Sequence, residues 1–436
     1  MISAVSDTLN WLFPMMMWFS SGPQYHPFPQ HNVQKPIHIS ARFSMETSSN
    51  SLNSEIFRVI SAGREVTPAM KDRSEKRLRP LNRIGLDVAG ELSYVHFPSK
   101  FIGKDRSWGY YIGYKNRFTA FGKISPDTYR ALFYGNSPYK GDTLHFRNEK
   151  VRYMAYQQLS FGLIHHVRGK KWTGNYGFAL SYVNASNFAD ISLKNGSLYT
   201  SSDAFTLQAG GQFDMFSNDA SKPRYHYPNG WGLSGDLFLN LQDPSGRNAI
   251  SIQARDFGFV KSTAFGNGYR LDTSITFEGV AFSSPYDITG DVFSQLGDSA
   301  QQIIQGGRYS GSKVIPLPAQ LSIAYQREFI PFRLYGAAQL SMRFFSGAMP
   351  MGTIRVWGYP DPQIMIGGNI SYGGWGTYNI GVDLGFDVGR GWVFNLGTNQ
   401  LQGLIAERAA SGFGGYIGLW KSFSGQKNVK KNEKKK

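Results

Sequence analysis

The strongest constraint on this chain is a two-residue alternation of apolar and polar side chains, repeated in stretch after stretch. Between Thr377 and Val388, the residues Tyr378, Ile380, Val382, Leu384, Phe386 and Val388 interleave with Thr377, Asn379, Gly381, Asp383, Gly385 and Asp387. Successive side chains of a strand point to opposite faces, so this ribbon has one apolar and one polar face; a helix would scatter both sets round its circumference. The same dyad recurs in 332–344, 317–325, 271–277, 233–241 and 205–213.

Fourteen segments read as strands: 83–97, 108–122, 153–168, 175–190, 204–216, 230–241, 247–259, 270–282, 317–328, 332–344, 363–373, 377–388, 392–401 and 411–423. Most exceed the ~5–6 residues of an ordinary soluble strand and reach the ~9–11 that a tilted membrane crossing needs. The expected fold is therefore all-β, a transmembrane antiparallel β-barrel of about 14 strands. Residues 36–45 read as one further strand, which allows 16 if another has been merged. Short helices are expected in the N-terminal segment, over 54–78, and one in the long loop 283–316, over 291–304. The division that follows is an N-terminal extension over 1–80, the barrel over 81–423 and a basic tail over 424–436.

Composition agrees with a barrel. Charged residues make up 17% of the chain, against ~25% in a typical soluble domain. Aromatics reach 15%, and the chain holds 50 Gly. Mean hydropathy is only −0.32, because half of each strand faces lipid and half a polar lumen. No run approaches the ~20 apolar residues of a membrane-spanning helix. A soluble sandwich or propeller would also alternate, but strand length and aromatic load count against it. The stretch from Met1 to Trp18 lacks the basic start of an export signal and carries Asp7.

The chemistry of catalysis is thin. The chain has no cysteine, which excludes disulfides, thiolate metal sites and Cys nucleophiles. His165 and His166 are neighbours, and neighbours on a strand point apart, so they do not make a metal site. Gly374-Trp-Gly376 joins two strands with no helix after it; it reads as a hairpin turn and not as a phosphate loop. No enzyme activity, cofactor or metal is expected. The net charge of +16 comes with no nucleic-acid-binding motif, and no nucleic-acid partner is expected.

Charges on the polar parity of the strands are candidates for the lumen: Asp214, Asp236, Arg255, Asp272, Glu278, Arg333, Arg343, Asp383 and Asp387. An Arg or Lys on the lipid face costs ~2–4 kcal/mol at the bilayer midplane. Most such charges serve to fill and stiffen a barrel; a selective path for a solute is the sharper reading. Outside the strands, Met15, Met16, Met17 and Trp18 at one end, and Lys427, Lys430, Lys431, Lys434, Lys435 and Lys436 at the other, are candidates for binding a partner. With the C-terminus in the periplasm, Gly389–Gly391 and Gln242–Gly246 become periplasmic turns. The same counting makes 123–152 and 283–316 long periplasmic connections, against the usual short periplasmic turns.

Three stretches carry a resemblance. Ala249–Phe259 resembles the strand that leads to an Asp-aliphatic-Gly motif in a family of Bacteroidetes outer-membrane barrels; Leu317–Tyr325 and the closing run Pro362–Phe423 are similar to that family too. Gly414–Phe423 also resembles the C-terminal insertion signal of outer-membrane barrels, with a tail beyond the closing aromatic. The family is related in architecture to the PorP/SprF-like barrels of type IX secretion, and more distantly to the long-chain fatty-acid transporter barrels. The resemblance implies an outer-membrane location and a non-enzymatic subunit or scaffold of an envelope secretion or assembly complex, with outer-membrane lipid and other envelope proteins as partners. The alternative it leaves is a transporter or porin for hydrophobic or small solutes.

Overall fold

The computed structural model describes residues 37–423, apart from 99–101, 103–106, 219–228, 246, 264–265, 279–304, 332 and 345–346. The strands up to the middle of the chain are β1 (Ile37–Ser49), β2 (Asn82–His96), β3 (Trp108–Ile124), β4 (Thr143–Phe146), β5 (Glu149–Arg168), β6 (Thr173–Thr200), β7 (Thr206–Ser217), β8 (Gly230–Gln242) and β9 (Asn248–Ser262). After them come β10 (Gly266–Glu278), β11 (Arg308–Gly311), β12 (Val314–Pro316), β13 (Gln320–Ile330), β14 (Leu334–Arg343), β15 (Met349–Asp361), β16 (Ile364–Gly374), β17 (Tyr378–Gly389), β18 (Trp392–Thr398) and β19 (Gly412–Phe423).

Fourteen of these close an antiparallel barrel, in the order β1, β2, β3, β5, β6, β8, β9, β13 to β19, with β19 pairing back onto β1 from Ile37↔Phe423 to Ser48↔Gly412. Closure leaves the wall no free edge, which is what a sheet needs to stand in hydrocarbon. The expected strand count holds, but its membership changes. Residues 37–49 and 349–361 are wall strands, so the barrel begins at β1 and not at residue 81. Residues 204–216 and 270–282 give β7 and β10, which leave the wall. They pair with each other, and β7 pairs with the far half of β6, which also carries β4, to make a sheet that continues past the rim; β11 pairs with β10, and β12 returns onto β9.

That exchange of strands settles the sidedness. Both described ends of the wall lie at one rim, where 243–247, 331–333, 362–363 and 390–391 are turns of a few residues. The other rim carries the long connections 50–81, 125–148, 186–229 and 263–319. Short turns face the periplasm in such barrels, so the connections expected in the periplasm over 123–152 and 283–316 leave from the outer rim instead. The helix expected over 291–304 lies outside the described residues.

The wall is apolar outside and polar inside. Along β16, Ile364, Ile366, Ile370 and Tyr372 are exposed, while Met365, Asn369 and Ser371 between them are buried. On β17 the exposed set includes Tyr378 and Ile380, and Asn379 and Asp383 are buried. With Leu180, Phe161, Leu237 and Ile354 also exposed round the wall, this surface is made for lipid: the chain is a transmembrane barrel of the outer membrane. Ile370→Arg, at mid-strand, is expected to cost ~2–4 kcal/mol; denaturant unfolding of the lipid-reconstituted barrel measures it.

Near the periplasmic rim the ring of His165 lies 4.5 Å from that of Trp108 and 5.2 Å from that of Tyr176, as in an interfacial aromatic belt. His166 instead bonds Asn175. At the outer rim, α1 (Ser54–Ser61), α2 (Pro68–Glu75) and α3 (Pro126–Tyr134) form a cap. It is anchored by Ser54 on the Gly412 carbonyl, and Arg73 of α2 joins it to α1 through Glu55. Burial alone would push the Glu55 carboxyl up, but the Arg73 hydrogen bonds and charge outweigh it and hold it below its ordinary value. A second apolar cluster, of Tyr156, Phe188, Phe216, Val260, Ile315 and Leu317, packs where β12 meets the wall.

Candidate functional site

Inward-facing charges collect at mid-barrel. Asp87 and Glu91 lie four residues apart on one face of β2, and Lys115 and Arg117 two apart on one face of β3. Arg117 binds Asp87 at 2.7 Å and Asp256 at 2.6 Å; Lys115 binds Asp256 at 2.7 Å. Arg255 binds Glu91 at 3.2 Å. Arg343, on β14, binds Glu46 at 2.8 Å and comes within 3.8 Å of Asp87. Since β14 and β2 are seven strands apart either way round the fourteen, that contact spans the lumen. Arg355 pairs with Asp383 at 3.2 Å, and Tyr416 donates to the same carboxylate. Acids and bases thus form a girdle across the barrel, in which paired charges stand in for the water each would otherwise need.

Asp256 is at the centre because β9 is bulged. The register slips between Gly235 and Leu237 of β8, so Arg255 and Asp256 together face Asp236. A bulge places two successive residues against one, and both charges turn inward. Asp256 takes φ +58°, in the left-handed region, and its N–H donates to Asp236 at 2.7 Å. Beyond the bulge Phe257 and Phe259 point to lipid, where Ile250 and Ile252 did before it.

The outer mouth is narrowed by Trp375, in the turn between β16 and β17. It is 2% exposed, and Arg343 stacks 4.4 Å from its ring centroid. The ring rests on Gly85 of β2, where a Cβ would fall 1.8 Å from it. The tight turn expected at Gly374-Trp-Gly376 is present, with Gly374 at φ +67°. Gly85→Ala should expel the ring: Trp375 emission shifts to the red, and the shift disappears in a Trp375→Phe background.

Beside the girdle lies a cavity of about 280 Å³. Arg42, Glu46, Glu91, Gln253, Asn369 and Gln400 are among its lining, which is mostly polar. A broad apolar hollow lies on the outside, over β13 to β17, floored by Ala338, Gly352 and Gly368.

Of the charges expected in the lumen, Asp236, Arg255, Arg343 and Asp383 meet there. Asp214 and Asp272 do not: they lie on the sheet beyond the rim, bonded to Arg270 and Gln212. Glu278 ends β10 on the same sheet, paired in register with Thr206. Arg333 is exposed in the turn before β14, and Asp387 caps the turn after β17 through the Gly389 N–H. Met15, Met16, Met17, Trp18 and the lysines 427–436 lie outside the described residues. The sequence reading missed Arg42, Glu46, Asp87, Glu91, Lys115, Arg117, Asp256 and Arg355. The paired charges on one parity of β2 and of β3 were a usable signal; Arg42, Glu46 and Arg355 sit on the two strands it did not count, and the bulge hides Asp256. Among the described residues no cluster of three His, Asp or Glu is placed to hold a metal.

A family model described as a family of unknown function, DUF5723, matches residues 30–396. No curated protein matches the chain. Solved structures that resemble it include the Pseudomonas putida toluene transporter TodX, at 10% identity and TM-score 0.44, over 92% of this chain and 93% of that one. A Pseudomonas aeruginosa FadL homologue matches at 9% identity and TM-score 0.37, over 90% of each chain. The translocator domain of the autotransporter NalP from Neisseria meningitidis matches at 8% and 0.31, over 97% of each.

Proposed function

The chain belongs to the DUF5723 family, whose function is unknown, and from the chemistry of its own barrel we propose that it is a non-enzymatic transport barrel, passing small polar solutes across the outer membrane through a lumen narrowed by ion pairs. One observation carries this reading: a polar cavity of about 280 Å³ stands inside an apolar shell. Hydrogen-bonding walls replace the hydration of a polar solute and offer nothing to a hydrocarbon, so the small-solute form of a transporter fits the lumen better than the hydrophobic one. Vesicles carrying the purified barrel should swell in isosmotic arabinose faster than empty vesicles. Failure to swell in any small sugar or organic acid, for wild type and for girdle variants alike, would overturn it.

A second reading keeps the barrel as a subunit of an envelope complex, including one of the type IX secretion kind. Its support is the sheet of β4, β6, β7, β10 and β11 beyond the rim, whose Gln208, Gln212, Asp272, Thr273 and Ser274, with Phe205 in the turn before β7, are exposed and offer a partner a surface. Stoichiometric copurification of another envelope protein, lost when this sheet is altered, would put that reading first.

A further inference from the structure

Most cations of the described lumen are paired. Lys115, Arg117, Arg255, Arg343 and Arg355 each meet a carboxylate. The side chain of Arg42, on β1, has no hydrogen bond or ion pair among the described residues; its guanidinium lies 5.1 Å from the centroid of the Tyr416 ring and lines the cavity. Glu91, its register partner on β2, is engaged by Arg255 and Lys115. A guanidinium turned into a confined space, where the facing carboxylate of Glu91 is already held by two other cations, attracts an anion.

A second observation lies in the same cavity. Gln400 is 1% exposed, yet both polar atoms of its side chain are without a partner among the described residues. Asn369, 4% exposed, uses its amide to donate to Asp383 and Asn399 but leaves its carbonyl oxygen unmet. Buried polar atoms without partners are rare in native structures and each calls for a reason. Both side chains are among the lining of the cavity that Arg42 also lines.

We propose that this corner of the lumen, formed by Arg42, Tyr416, Asn369 and Gln400, is a binding site for a small hydroxylated organic anion. The proposal rests on the transport reading and adds the solute class. Arg42 takes the carboxylate in a fork of N–H donors; hydroxyl groups of the solute donate to Asn369 Oδ1 and to Gln400 and accept from the Gln400 amide. The cavity lies just under the ~300 Å³ at which pockets begin to hold drug-sized ligands, which suits a sugar acid. A fatty acid would satisfy Arg42 but leave the amides bare.

Titration calorimetry on the full chain in detergent tests this with glucuronate, glucose and hexanoate as probes. Glucuronate should bind about tenfold tighter than either of the others. Arg42→Gln should reduce it to the level of glucose, with Arg42→Lys recovering part, and Gln400→Leu should weaken glucuronate without changing hexanoate. Retention of the compact, heat-modifiable band on electrophoresis shows that each variant is folded. Hexanoate binding as tightly as glucuronate, indifference to Arg42→Gln, or no glucuronate binding even at about 50 mM would overturn the site. Arabinose uptake by vesicles separates the two failures. Uptake without glucuronate preference sinks the site alone, whereas no uptake of any solute sinks the transport reading.

Discussion

Arg343→Ala should raise the flux of small solutes through the reconstituted barrel by on the order of tenfold and turn it toward cations. Arg343 is the longest reach in the girdle. It bonds Glu46 at 2.8 Å, approaches Asp87 at 3.8 Å on the opposite wall, and supports the buried ring of Trp375 at 4.4 Å. Truncation removes the bridge across the lumen and the cation beneath the Trp375 plug in one step. It also leaves Glu46 without its partner, so the field in the opening becomes more negative, and field lines focused by low-dielectric walls select by sign. Arg333→Ala is the control: it removes the same charge from an exposed periplasmic turn and should leave flux and selectivity unchanged. An Arg343→Ala barrel that is folded but conducts as wild type would show that the ion pairs do not set the opening.

The second large effect is on stability. Asp256→Ala is expected to lower the unfolding free energy of the barrel by about 3–5 kcal/mol, the usual result of removing one partner from a buried charge network. Asp256 is 2% exposed and answers both Lys115 and Arg117, while Gln158 donates to it at 3.0 Å. The backbone adds to the loss, because alanine is poorly suited to φ +58°. Asp256→Gly separates the two causes: it relieves the backbone and still loses the charge, so it should recover only a fraction. Asp214→Ala, whose partner Arg270 is 70% exposed on the outer sheet, should cost less than about 1 kcal/mol. Guanidinium unfolding in lipid vesicles compares the three; equal losses at Asp256 and Asp214 would mean that the girdle does not hold the barrel together.

How much of this was legible in the sequence depends on the strand. On β17 the dyad is unbroken, and the exposed Tyr378 and buried Asp383 follow from it directly. β15 escaped notice because Pro350, Gly352, Gly358 and Pro360 interrupt the pattern. β1 reads weakly because its apolar parity is short, Ile37, Ile39, Ala41 and Phe43, and a single pairing residue does not reveal that it closes the barrel. β7 and β10 alternate as well as any wall strand, since a sheet outside the membrane also packs one face; periodicity cannot say what that face packs against. One strand missed, one read but left out of the count, and two misplaced left the total at fourteen while reversing the upstream loops. The charged girdle was half legible. Parity identified Asp236, Arg255, Arg343 and Asp383, but a one-residue bulge switches the parity of a strand, and so Asp256, the residue that ties most of the girdle together, stood on the lipid side of the pattern that Ile250 and Ile252 begin.

The central claim is that hydrophilic space lies inside this wall and lipid outside it, and neighbouring residues of β16 test it most directly. The chain has no cysteine, so single substitutions report cleanly. Ile370 is 63% exposed on the outer face, and Ser371, 5% exposed, lines the cavity. In vesicles, a charged water-soluble maleimide should modify Ser371→Cys and spare Ile370→Cys, and a membrane-soluble maleimide should do the reverse. Equal modification of the two by either reagent would contradict the account.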